Sequence, residues 1–154
     1  MSFQLSSNAF DEGDDIPLLH TCDGADLSPP LVWTDPPEGT VSMALMCDDP
    51  DAPGGNWSHW VLWGLGPDIR GLAQGQPTDP ELDRGVRQGT NDFRQLGYGG
   101  PCPPKGKPHR YFFRLFALDT AINLAAGADR RKLREAIEGH ILAEAQLMGR
   151  YGRS

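Results

Sequence analysis

The chain contains no run of apolar residues approaching the ~20 that cross a bilayer, and this absence argues against a transmembrane segment. Basic residues are outnumbered, with 14 Lys and Arg against 21 Asp and Glu, for a formal charge of −7. Nucleic acid and anionic membrane surfaces are therefore not expected partners, because binding either takes clustered Lys or Arg to displace counterions. The densest basic run, Arg130-Arg131-Lys132 with Arg134, reads as the solvated face of a helix. Cysteine is scarce as well. Cys22, Cys47 and Cys102 are separated by 24 and 54 residues, a spacing that matches no zinc pattern. Their odd number suits the reduced thiols of a cytoplasmic protein. The alternative is a disulfide between Cys22 and Cys102, both in polar, Pro/Gly-rich loops. Cys47 ends an apolar run and reads as core. Met1-Ser2-Phe3-Gln4-Leu5 lacks the basic start and apolar centre of a signal peptide, so the expected address is cytoplasmic.

What the chain has in excess is Gly (19) and Pro (14) in 154 residues, together about twice their usual share. That composition disfavours a helical bundle and favours strands joined by shaped turns and ordered loops. Four Trp, six Phe and three Tyr supply the apolar bulk that a disordered chain lacks. The length suits one domain, 1–154, with no repeat or linker to divide it. Three runs predict strands: Val41–Cys47, His59–Leu65 and Arg110–Leu118. Their near-continuous apolar character predicts cover on both faces, as in a sandwich interior. Shorter strands are expected near Phe3–Ser6 and Leu31–Trp33. From Asp129, a suitable N-cap, Leu133, Ile137, Ile141, Ala145 and Met148 fall at three- or four-residue spacing. This predicts an amphipathic C-terminal helix, kinked near Gly139-His140 and closing near Gly149 or Gly152. The 42 residues 67–108 show little periodicity, and a loop that long in a small domain usually has work to do.

Three clusters carry chemistry. Asp48-Asp49-Pro50-Asp51-Ala52-Pro53 follows an apolar strand directly. Its carboxylates repel unless hydrogen bonds or cations quiet them, and its prolines hold the backbone still. The plain alternative is an acidic turn capping its own amides. Next comes Trp57-Ser58-His59-Trp60. A hairpin would return His59 to the aspartates, where a carboxylate orients an imidazole and favours its cation. The alternative is a hydrogen-bonded structural histidine. The third is Gly97–Gly106 followed by Pro108-His109-Arg110-Tyr111. Glycines free backbone amides there, prolines stiffen a wall, and His109 and Tyr111 offer donors that could cradle a phosphate or carboxylate. A rigid surface turn is the alternative.

Taken together, Asp49-Pro50-Asp51-Ala52-Pro53, His59-Trp60, Gly100–Gly106 and His109-Arg110-Tyr111 resemble the signature of the phosphatidylethanolamine-binding protein family. His20–Gly24, Ser28–Trp33, Gln88–Phe93 and Gly139–Ala143 extend the likeness to its bacterial and archaeal, Raf-kinase-inhibitor-like branch over nearly the whole chain. The resemblance implies a mainly β, antiparallel sandwich-like domain with a large central sheet, a smaller sheet and a few helices. It also implies one small cavity for phosphate, phosphoryl head groups or acetate-like anions, carried onto Asp49, Asp51, Pro53, His59, Gly100, Pro103, His109 and Tyr111. Two departures from animal members stand out: an extra Pro101-Cys102 step, and a shorter approach to His109 through Lys107-Pro108. The ligand-gating C-terminal helix of those members has no counterpart after Tyr151.

The function expected is small-anion binding, with His59, His109, Tyr111 and amides near Gly100 donating and with Asp49 and Asp51 orienting the imidazoles. Since imidazolium donates better, affinity is expected to rise as pH falls from about 8 to about 6. The resemblance also implies inhibition of a protein kinase or protease by surface docking, and allows a homodimer. Acid–base catalysis is the remaining class, but no Gly-x-Ser-x-Gly elbow, His-Glu-x-x-His or phosphate loop occurs. No motif calls for a cofactor or metal.

Overall fold

The structure, a computed structural model, describes residues 2–154. Met1, part of the stretch read above for a leader peptide, lies outside the described residues. Among the described residues eight strands form two antiparallel sheets, with one α-helix packed against the larger. The small sheet orders β1 (Leu5–Ser6), β2 (Leu31–Trp33) and β5 (Gly71–Leu72). The large one orders β6 (Arg87–Gln88), β4 (Trp57–Leu65), β3 (Ser42–Asp49), β7 (His109–Leu118) and β8 (Ile141–Tyr151). The mainly β sandwich-like architecture expected from the sequence is the one found. No helix among the described residues is long and apolar enough to cross a membrane.

The three apolar runs are the central strands of the large sheet, and every residue of β3 is buried. One face packs Met43, Leu45, Trp60, Leu62, Phe113 and Leu115 against Leu31 and Trp33 of the small sheet. The other packs Ala44, Met46, Val61 and Trp63 against Leu133 and Ile137 of helix α1 (Arg130–Ile137). Cover on both faces explains why these strands read as nearly unbroken apolar runs rather than alternating ones.

The helix is present but shorter than the sequence predicts. Asp129 caps it, accepting from Lys132 N at 3.0 Å. Gly139 then turns the chain at φ +81°, a conformation glycine adopts without strain. Residues 141–151 do not resume a helix; they form β8, paired with β7 from His109↔Tyr151 to Leu118↔Ile141. Ile141, Ala145 and Met148 fit a helical stripe, but Ala143, Ala145, Leu147 and Gly149 fit alternation equally well, and Ala145, Leu147 and Gly149 are the buried set. Pairing along the open edge of β7 decided between the two periods, as tertiary context does over weak propensity.

Cys22 and Cys102 form a disulfide, and Cys47 is a buried free thiol. The expectation of reduced thiols therefore fails for the loop pair and holds for Cys47.

Candidate functional site

The carboxylates of the Asp48–Asp51 run face three ways, because β3 alternates its side chains and then turns. Asp48, 1% exposed, sits on the α1 side of the sheet, 2.9 Å from Arg130 Nε and 3.7 Å from Arg114. Asp49 faces the opposite side, where its Oδ2 lies 2.7 Å from His109 Nδ1 and its Oδ1 accepts from Asp51 N at 2.8 Å. Asp51 lies past the strand end and holds Arg110 through its backbone N–H and guanidinium, at 2.8–2.9 Å. The Arg110 guanidinium holds the Asp51 carboxyl at about 2, well below its ordinary 3.8.

β3 and β4 form the expected hairpin with a bulge. Cys47 pairs with Trp60 and Asp48 with Ser58, so His59 is the extra residue. Bulges re-aim a side chain in this manner. His59 Nδ1 lies 2.6 Å from the Gly99 carbonyl, and Gly99 N donates back to His59 O at 2.9 Å. Glycine at 99 lets the backbone approach the Phe93 ring, since a Cβ there would lie 2.7 Å from that ring and displace it. Burial pushes the His59 imidazole below its ordinary pKa, against the weaker pull of the Gly99 carbonyl and the Asp49 and Asp48 charges.

His59 and His109 thus come to one cavity of about 150 Å³, which Asp49, Pro53, Pro103 and Tyr111 also line. The Tyr111 ring lies edge-on to His59 at 5.2 Å and stacks with His109 at 6.5 Å. Its hydroxyl is buried and has no hydrogen-bond partner among the described residues. Burial, then the charge of Asp49, raises the Tyr111 pKa, so the phenol keeps its proton. Trp57 and Phe93, each 37% exposed, form the rim. Larger grooves of about 490 Å³ beside β5 and about 580 Å³ beside α1 contain no imidazole. The smaller cavity is where the chemistry gathers.

Six of the eight residues expected at the site meet at this cavity, and two do not. Asp51 is turned onto Arg110. Gly100 supports the wall from behind: its N–H donates to Asp26 Oδ1 at 2.8 Å, and a Cβ would lie 2.3 Å from His20 O. Sequence reasoning missed Ala52, Trp57, Phe93, Cys102 and Pro104, which also line the cavity. Trp57 and Ala52 had a signal in their adjacency to His59 and Pro53. Phe93 lay in the Gln88–Phe93 segment of the family likeness, but nothing local pointed it at the cavity, because it arrives on a long loop held by Asn91, whose side chain caps Phe93 N and Gln95 N and donates to Gly97 O.

These features define a class: a two-sheet antiparallel domain with a small, histidine-lined cavity at the ends of its central strands. The chain belongs to the phosphatidylethanolamine-binding protein family, whose model matches residues 6–152. It is 50% identical to a UPF0098 protein of Methanothermobacter thermautotrophicus, covering 97% of this chain and 98% of that one. A UPF0098 protein of Aquifex aeolicus is 46% identical, with 97% and 88% covered. Among solved structures, E. coli YBCL, described as a new member of the mammalian PEBP family, superimposes with a TM-score of 0.93 at 34% identity and full coverage of both chains. CT736 of Chlamydia trachomatis, described as a homolog of the same family, gives 0.90 at 38%, with 99% of both chains covered.

Proposed function

We propose that the cavity binds a small oxyanion, phosphate or a phosphoryl head group, and that the protein is a binding and regulatory protein rather than an enzyme. The observation that carries this reading is a pair of imidazoles fixed at Nδ1 beside the buried Tyr111 hydroxyl, a protonated donor that makes no well-formed hydrogen bond within the described residues, with only the Asp49 carboxylate near it. An unpaired buried donor costs about 1–3 kcal/mol, which a ligand oxygen removes on binding. Size supports a small ligand, since 150 Å³ is below the ~300–1,000 Å³ of drug-sized pockets. Binding is favoured over catalysis because the lining residues offer no activated nucleophile. Cys102 is locked in the disulfide, and Tyr111 holds its proton. The free thiol, Cys47, is raised well above its ordinary pKa by burial and then by Asp48. The family's name, with its phospholipid head group, points the same way.

Thermal-shift titration with phosphate, phosphoethanolamine and acetate tests this. A ligand at 100 times its Kd stabilises by about 2.7 kcal/mol, which for a chain of this size is a rise in Tm of about 5–10 °C. No shift with any of the three overturns the anion-binding reading and leaves docking on a kinase or protease as the family function to pursue.

A further inference from the structure

The hydrogen bonding of His59 determines what its free nitrogen can offer a ligand. The Gly99 carbonyl, 2.6 Å from Nδ1, has no proton to give, so the ring proton lies on Nδ1. In the neutral ring Nε2 then carries a lone pair. Nε2 has no hydrogen-bond partner among the described residues, and the residue lines the cavity. The groups packed around this ring are Asp49 on β3, Tyr111 and His109 on β7, Phe93 on the loop, and the Gly99 and Gly100 carbonyls. The buried position keeps the ring in its neutral form, with desolvation outweighing the pull of those carbonyls and of Asp49 and Asp48.

Charge adds a second constraint. The Asp49 carboxylate, 3% exposed, offsets whatever positive charge His109 carries. The neighbouring guanidiniums are already engaged, Arg110 by both oxygens of Asp51 and Arg153 by both oxygens of Asp23. An entering anion therefore meets one protonated donor, Tyr111, one fixed acceptor, His59 Nε2, and no surplus cation. Bringing an ionised oxygen against a lone pair leaves both without a donor.

We propose that the cavity selects oxyanions that carry their own proton. Inorganic phosphate, which keeps a P–O–H near neutral pH, donates it to His59 Nε2 while another oxygen accepts from the Tyr111 hydroxyl; a phosphomonoester does so only below its second pKa of about 6. Sulfate has the same tetrahedral shape and nearly the same size but no proton near neutral pH, so it is rejected. Acidification favours sulfate, since any proton taken up by His59 turns Nε2 from an acceptor into a donor. This inference rests on the anion-binding reading above and refines it from anions in general to protonated phosphoryl groups.

The test is calorimetric titration of the full chain with sodium phosphate and with sodium sulfate, at about pH 7.5 and again near pH 5.5. At the higher pH phosphate binds at least about tenfold more tightly than sulfate, the factor expected for one hydrogen bond lost to a charged group. At the lower pH the gap narrows. Equal affinities at the higher pH would overturn the selectivity while leaving anion binding intact. No binding of either anion at either pH would instead overturn the anion-binding reading itself, and this inference with it.

Discussion

The Asp49→Asn variant is expected to lose the phosphate-induced rise in Tm and to melt about 5–15 °C below the parent protein. Asp49 satisfies two donors at once, Asp51 N through Oδ1 at 2.8 Å and His109 Nδ1 through Oδ2 at 2.7 Å. Asparagine has one acceptor oxygen and one NH₂, so while the proton stays on His109 Nδ1 a donor faces a donor whichever way the amide turns. The lost bond and the unpaired group cost about 2–4 kcal/mol together, at roughly 2–4 °C per kcal/mol for a domain of this size. The binding effect is separate from the stability effect. Without a carboxylate the His109 ring is free to turn or to move its proton, and the cavity loses one of its two fixed imidazoles. Asp51→Asn is the matched control. Asp51 grips Arg110 at the surface and does not line the cavity, so its removal leaves the phosphate response in place. A phosphate response retained by Asp49→Asn would show that the Asp49–His109 pair has no part in the site.

The second large effect concerns the disulfide. Opening Cys22–Cys102, which are 80 residues apart in sequence, is expected to cost about 2–5 kcal/mol, because long loops gain the most from cross-linking. The corresponding fall in Tm is about 5–15 °C. Cys102 lines the cavity between Pro101 and Pro103, and Cys22 N donates to Pro101 O at 3.1 Å. The bridge therefore ties the proline wall of the site to the loop after β1, and reduction should weaken the phosphate response along with the fold. Thermal unfolding with and without a phosphine reductant, with and without phosphate, measures both. Identical curves would mean that the wall stands without the bridge. The bridge also bears on the expected cytoplasmic address, since disulfides persist in the cytoplasm chiefly in hyperthermophiles.

How much of this was legible in the sequence depended on how many structures each pattern could serve. β3, β4 and β7 were readable because strands covered on both faces show as apolar runs, and Trp60 or Phe113 suits no surface position. β8 was not, because its small and aliphatic residues satisfy a helical and an alternating period together, and the open edge of β7 that decided the matter is not a local property. Six cavity residues were found because a hairpin brings Asp49 and His59 together, and because His109 and Tyr111 share a strand beside them. Asp51 was misplaced for a physical reason: three carboxylates in four residues look like one acidic patch, yet alternation and the turn send them to Arg130, to His109 and to Arg110. What the His59 ring offers a ligand was hidden for a similar reason. A neighbouring carboxylate was visible in the sequence, but the burial that keeps His59 neutral and the Gly99 carbonyl that fixes its tautomer come from the fold.

The most direct test of the central claim is the nitrogen resonance of the His59 ring in histidine-labelled protein, followed as phosphate is added. The account predicts a neutral ring protonated on Nδ1 in the free protein, and an Nε2 signal that shifts saturably with phosphate as it gains a donor. An Nε2 signal unmoved by phosphate, in protein whose fold is intact, would contradict it.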